Sequence, residues 1–388
     1  MKKRKLIKIL VVFGTRPEAI KMLPLINQLK LESKYFDLKI CITAQHRTML
    51  DQILNFFQIK PDIDFNLMKQ KQDLNLLTSK ILVKMKKILR KNKPDLVIVH
   101  GDTTTTMAAS LSSFYEGFPV AHVEAGLRTY NLKAPFPEEF NRQFVSKIAK
   151  FHFSPTSINK TNLIAEGVNK KNIKVTGNTV IDALFWTLKK INSNSTIQNK
   201  IERQIKSILK FNYKKDRFIL ITGHRRENFG DGFVHICEAI RDLALLYPKI
   251  NFIYPVHLNP NVQKPVNKIL KNLGNVLLIK PMNYENFIYL MKYAYLILTD
   301  SGGIQEEAPS LRKPVLVMRK VTERKEAINT GNIKLIGNKK KNIIFNVREL
   351  LKNENMYMKM CNKSNPYGDG FAAKRIVDFL KNLYFKEI

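Results

Sequence analysis

The feature that most constrains this chain is a repeated alternation of short, β-branched apolar runs with longer segments of helical periodicity. Residues 6–13, 38–43, 96–100, 120–123 and 151–154 read as strands, and residues 19–31, 47–57, 74–89 and 105–115 read as helices between them. Parallel neighbours cannot be joined by a tight hairpin, so strand–helix–strand alternation predicts a doubly wound parallel sheet covered on both faces. A helix followed by a polar Asn/Ser-rich stretch, near residues 178–199, marks a domain junction. The alternation then restarts, with strands at 218–222, 251–255, 276–279, 296–299 and 315–317 and helices near 234–246, 264–273 and 284–292. A break at residues 365–370 precedes a last helix over 372–383. The economical reading is two α/β halves with a cleft between them. In such sheets ligands gather beyond the carboxyl ends of the strands.

Composition removes several alternatives. With 388 residues the chain is too long for one ordinary core, in agreement with two domains. No apolar run reaches the roughly 18 residues that a membrane span needs. The basic start, Met1-Lys2-Lys3-Arg4-Lys5, leads into an apolar stretch interrupted by Lys8 and then into Gly14-Thr15-Arg16-Pro17, so it reads as a first strand and not as a secretory signal. Cys41, Cys237 and Cys361 have no metal-type spacing, and an odd number suits no disulfide framework; a reducing cytoplasm is expected. The net charge of +34 raises the question of a nucleic-acid or anionic-membrane surface. Lysines are scattered from end to end, with only brief clusters such as Lys339-Lys340-Lys341, and no nucleic-acid-binding signature accompanies them. The charge therefore reads as lysine-biased composition, with no nucleic-acid and no membrane partner expected.

The unusual residues sit at the expected strand ends. Gly14-Thr15-Arg16-Pro17-Glu18-Ala19-Ile20-Lys21 follows the first strand and opens a helix, whose free N–H groups favour an anion, with Arg16 and Lys21 as further cations; a loop with two solvated cations is the plain alternative. A nicotinamide site would require G-x-G-x-x-G here, and only Gly14 is present. His100-Gly101-Asp102 with the run Thr103–Thr106 ends a strand, and Asp102 is either a helix cap or a functional carboxylate. His122-Val123-Glu124-Ala125-Gly126-Leu127-Arg128 places Glu124 directly after another strand, where it suits acid–base work. Glu138 and Arg142 lie four apart on a helix, as a surface ion pair or as functional groups. In the second half, Thr222-Gly223-His224-Arg225-Arg226 brings cations to a strand end, and it lacks the second histidine of a metal helix. Thr299-Asp300-Ser301-Gly302-Gly303 followed by Glu306 and Glu307 is a glycine turn into a helix, suited to phosphate, with a carboxylate one turn along for ribose hydroxyls. Arg324 adds a cation. One half thus offers carboxylates, and the other an anion-binding turn, a division that suits a nucleotide sugar.

Together, residues 14–24, 43–51, 100–106, 122–128, 176–183, 222–228, 255–261, 299–309 and 365–370 resemble, in order and over nearly the whole chain, the non-hydrolysing bacterial UDP-N-acetylglucosamine 2-epimerases. The resemblance implies two Rossmann-like doubly wound domains of the glycosyltransferase-B type with an interdomain cleft. It implies an N-terminal domain over 1–179 completed by a returning helix at 366–388, and a UDP-side domain over 180–365. It implies UDP-N-acetylglucosamine and UDP as ligands, a homodimer, and no metal or nicotinamide cofactor. Carried over by matching motif, Asp102, Glu124, Glu138 and His224 are the expected catalytic groups. Arg16, Lys21, Arg142, Met282, Phe287, Ser301, Gly302, Gly303, Glu307 and Arg324 are the expected substrate contacts, and Gln45, Arg225 and His257 match a neighbouring activating site. Met282 stands where the family is expected to carry a glutamine near the uracil.

The chemistry implied is consistent with these residue types. The proton on carbon 2 is not beside a carbonyl, so its removal requires departure of UDP from carbon 1 in the same step, with a base for the proton and cations for the diphosphate. The nearest rivals are a hydrolysing relative or a glycosyltransferase of the same fold, which would bind the same nucleotide sugar. A product in equilibrium with its substrate, serving cell-envelope polysaccharide, is what the resemblance implies.

Overall fold

The computed structural model describes residues 5–44, 47–67 and 73–385. The chain divides into two compact units, the first formed by residues 1–183 with 367–388 and the second by residues 184–366. Each is a parallel α/β sheet of Rossmann-like winding. The first has seven strands: β1 (Ile7–Phe13), β2 (Phe36–Ile42), β3 (Ile63–Asp64), β4 (Leu96–His100), β5 (Val120–Val123), β6 (Phe151–Ser154) and β7 (Ile173–Val175), in the order β3-β2-β1-β4-β5-β6-β7. The second has six: β8 (Phe218–Thr222), β9 (Asn251–Pro255), β10 (Val276–Ile279), β11 (Leu296–Thr299), β12 (Val315–Val317) and β13 (Ile333–Leu335), in the order β10-β9-β8-β11-β12-β13.

The central strands are apolar on both faces, as helices on both sides of a parallel sheet require. In β1 the last five residues, Ile9 to Phe13, are all buried, and β4 is buried throughout. In the first unit Leu10, Val12, Val97 and Val99 pack against Leu77, Ile81, Met85 and Leu89 of the helix Leu74–Asn92. In the second, Ile219, Ile221 and Leu298 pack against Phe233, Ile236 and Ile240 of the helix Asp231–Leu246. Strand order reverses between β1 and β4 in one sheet and between β8 and β11 in the other. At such switch points the loops diverge to opposite faces and open a space beyond the strand ends.

The C-terminal helix Ala372–Phe385 belongs to the first unit. Phe379 packs edge-on to Phe151 and Phe153 of β6, Phe385 meets Tyr35 and Phe36, and Lys381 pairs with Glu32 at 3.0 Å. Among the described residues no helix is long and apolar enough to cross a membrane.

Candidate active site

In the first unit the turn after β1 is built by close approach. A Cβ on Gly14 would lie 2.1 Å from Thr43 Oγ1 and 2.4 Å from Thr105 Oγ1, two hydroxyls that bond each other at 2.8 Å, so only glycine fits. Thr15 caps the helix Arg16–Leu31 in a capping box with Glu18. The Glu18 carboxylate accepts from Thr15 N (2.8 Å), Gly14 N (3.1 Å), Thr103 Oγ1 (2.8 Å) and Thr106 Oγ1 (3.3 Å). It therefore ties the β1 turn to the β4 turn across the switch point. Burial raises its pKa, against the pull of these hydrogen bonds.

The β4 turn carries His100, Gly101 in the left-handed region (φ 68°) and Asp102. Thr103, and not Asp102, caps the following helix, accepting from Thr106 N at 3.1 Å. That leaves the Asp102 side chain for Arg142, whose Nη2 and Nε reach Oδ2 at 2.7 and 2.9 Å. Asn141 of the same helix, Glu138–Ile148, donates to the Asp102 carbonyl at 2.8 Å. Arg142 Nη1 is held by Glu139 at 3.1 Å, so the partners of Arg142 include Asp102 and Glu139. Glu138 is half-buried and makes no ion pair with it; the spacing of four read from the sequence is replaced by one of three.

Glu124 follows β5 with φ 65°, a strained conformation for a residue with a side chain. Its carboxylate is ion-paired with the Lys21 ammonium, and Oε2 also accepts from Asn178 Nδ2 at 2.8 Å. His100 Nε2 lies 3.6 Å from the same oxygen and makes no hydrogen bond among the described residues. Burial lowers the His100 pKa to about 4 against the pull of Glu124, so this imidazole is neutral near pH 7. The arrangement is two carboxylates at neighbouring strand ends, each with a cation of its own. Arg16 is half-buried at the first helical position.

The second unit repeats the architecture with opposite chemistry. Asp300, fully buried after β11, accepts from His224 N (3.1 and 3.0 Å), Arg225 N (2.9 Å) and Asn228 Nδ2 (3.2 Å), and so fixes the turn after β8. The His224 ring stacks on His257 at 5.1 Å, and burial lowers its pKa. Ser301 precedes the helix Gly302–Ser310 without a side-chain cap. A Cβ on Gly302 would lie 2.6 Å from the Arg324 guanidinium carbon, which places that cation flat against the helix start. Arg324 is held by Glu306 at 2.8 Å and by Glu323. Burial alone would raise the Glu323 pKa, but Arg324, Arg319 and Arg225 around it hold it far below the usual carboxylate range. A helix N-terminus beside several guanidiniums is an electrostatic site for a diphosphate. Glu307 accepts from the Tyr284 hydroxyl at 2.7 Å. Gly303 and Phe287 are half-buried, and Met282 lies just before the helix Tyr284–Met291 that carries Phe287. Gln45 lies outside the described residues.

Sequence reasoning passed over Glu18, Glu139, Asn178, Asp300, Arg319 and Glu323 as individual site residues. The Thr15–Glu18 capping-box spacing was a readable signal for the first. The others act through tertiary contacts that no local spacing announces.

The sequence pattern of the family described as UDP-N-acetylglucosamine 2-epimerase matches residues 29–381. The chain is 54% identical over 373 residues to the UDP-N-acetylglucosamine 2-epimerase of Campylobacter jejuni, covering 96% of this chain and 97% of that one. The crystal structure of the UDP-GlcNAc 2-epimerase from Neisseria meningitidis bound to UDP-GlcNAc superposes with a TM-score of 0.90 at 50% identity, covering 96% of this chain and 99% of that one. An S. aureus relative solved with UDP gives 0.87 at 45% identity, covering 99% and 98%. With a family pattern spanning most of its length and relatives more than half identical end to end, the chain belongs to the UDP-N-acetylglucosamine 2-epimerase family.

Proposed function

We propose that this protein interconverts UDP-N-acetylglucosamine and UDP-N-acetylmannosamine by eliminating UDP and adding it back through 2-acetamidoglucal. The observation that carries the reading is the pair Asp102 and Glu124 at neighbouring strand ends, each bound to its own cation. In the forward step a carboxylate takes the proton from carbon 2, the C–H electrons form the bond between carbons 1 and 2, and the bond from carbon 1 to the diphosphate oxygen breaks with its electrons leaving on UDP. In the return step the diphosphate oxygen re-forms the bond to carbon 1 while carbon 2 receives a proton on its other face. Asp102, Glu124 and Glu138 are the acid–base set, with Lys21 and Arg142 orienting the first two. Arg16, His224, the Ser301–Gly302–Gly303 helix start and Arg324 stabilise the departing diphosphate. Glu307, Phe287 and Met282 hold the uridine. Arg225 and His257 adjoin His224, so a second nucleotide bound to them would act on the same turn. The family resemblance extends the proposal to a cytoplasmic homodimer that supplies cell-envelope polysaccharide synthesis. Three buried cysteines with free thiols fit a reducing compartment.

Incubation with UDP-N-acetylglucosamine in heavy water, read by NMR, tests the reading. The expected result is UDP-N-acetylmannosamine at equilibrium with substrate, with deuterium at carbon 2 of both, and loss of exchange in Glu124→Gln. Release of free N-acetylmannosamine, or epimerisation without solvent deuterium, would overturn it.

A further inference from the structure

Asn178 is buried in the turn between β7 and the helix Thr179–Asn192, and its side chain is used at both ends. Oδ1 accepts from Val180 N at 3.1 Å, and Nδ2 donates to Glu124 Oε2 at 2.8 Å. The helix N–H fixes which end of the amide is oxygen, because a flipped amide would set its oxygen against the carboxylate and its NH2 against an N–H. The backbone is fixed as well. Asn178 N donates to Tyr367 O at 2.6 Å, and Gly177 lies so close to Gly368 that a Cβ would meet its Cα at 3.3 Å. The amide is thus presented to Glu124 from a point where two distant chain segments are tied together.

Helix capping accounts for Oδ1 and not for Nδ2. An aspartate would cap equally well and would place a like charge against Glu124. We propose that Asn178 is a positioning residue for Glu124, its amide fixing Oε2 beside the Lys21 ammonium and favouring the charged carboxylate. The inference rests on the reading of Glu124 as an acid–base group, and one of its two readouts is independent of activity.

The full-length protein is labelled with 13C at glutamate carboxyls, and the Glu124 signal is identified by its loss in Glu124→Gln. In Asn178→Ala the Glu124 titration midpoint rises by about one pH unit, because a hydrogen bond to a charged acceptor is lost. In Asn178→Asp, which keeps an acceptor for Val180 N and so preserves the helix start, the midpoint rises further through like-charge repulsion. The acidic limb of the epimerisation pH profile follows in each case, whereas a merely structural asparagine would lower activity without moving it. Glu124 midpoints unchanged in both variants overturn the inference, whatever the activity. Midpoints that rise while the acidic limb stays still uphold the contact and overturn the reading of Glu124 itself. Should Asn178→Ala fail to fold, Asn178→Asp decides alone.

Discussion

Glu139 has no exposed surface, and its carboxylate accepts from Thr129 N (3.0 Å), Tyr130 N (2.9 Å), Gln143 Nε2 (2.9 Å) and Arg142 Nη1 (3.1 Å). Burial alone would raise its pKa, but these donors outweigh burial and lower it. Replacing the carboxylate by an amide leaves the buried Arg142 short of a charge and sets an NH2 group against donors. Glu139→Gln is therefore expected to cost about 3 kcal/mol in urea denaturation, the scale of breaking a buried ion pair from one side. It is also expected to lower turnover, because Arg142 would no longer be fixed on Asp102; wild-type stability and turnover would show that Glu139 holds nothing in place. The sequence directed attention to this turn but favoured the neighbouring carboxylate. The i, i+4 rule singles out Glu138 with Arg142, whereas the chosen partner depends on residues 129–130 folding back over the helix start, a contact between segments with no local signature. Asp300 is the same lesson in the second unit: its motif is legible as a turn, but its four contacts to residues 224, 225 and 228 are fixed by the pairing of β8 with β11.

Among the elements, the central strands were legible because strands covered on both faces are written as continuous apolar runs. The edge strands β3, β7 and β13 were not, since each is a run of two or three residues that includes a charged one, whereas the equally short β12 is apolar throughout. The last helix was visible from its pattern, while its place in the first unit depends on Asp182, which caps it by accepting from Ala372 N (3.1 Å) and Ala373 N (2.8 Å). Burial, helped by the charge of nearby Asp369, raises the Asp182 pKa from 3.8 to about 6 despite these bonds. Between those values the folded protein holds a proton that the unfolded chain has released. This contribution to stability is complete below about pH 3.8 and lost as pH rises through about 6. Relative to Asp182→Asn, which does not titrate, the wild type should lose about 2.4 kcal/mol between pH 4 and 7 by urea denaturation. Loss of one acceptor in the variant shifts all values by a constant of about 1 kcal/mol and does not affect the slope. A difference independent of pH would show that Asp182 does not titrate in this window.

For the molecule as a whole, the two units differ in how they meet acid. His100, His122 and His152 lie on the adjacent strands β4, β5 and β6, with His122 and His152 in register, and all three are buried. Burial lowers their pKa values to about 4, about 4 and about 3, helped at His122 by the charge of His100 and at His152 by that of His122. Each is neutral in the fold and charged in the unfolded chain, so the stability they contribute is present above about pH 6.5 and lost as pH falls toward 4. Asp182 and Glu18, with raised pKa values, act in the opposite sense in the same unit. Three lowered histidines against two raised carboxyls leave the proton balance near pH 5 in favour of the unfolded state, so the first unit loses stability as pH falls. Among the described residues of the second unit, His235 and His257 are exposed, burial lowers the pKa of His224, and the strongly lowered carboxylates Glu202 and Glu323 stay charged in the fold over this range. Hydrogen exchange read by mass spectrometry, expressed as opening free energies, should therefore fall more steeply in the first unit than in the second between pH 6.5 and 4.5. His152→Leu removes one of the three histidine protons and should make the decline in the first unit shallower. A parallel decline in both units, or an undiminished decline in the variant, would show that the histidines of β4, β5 and β6 do not set the acid limit of this fold.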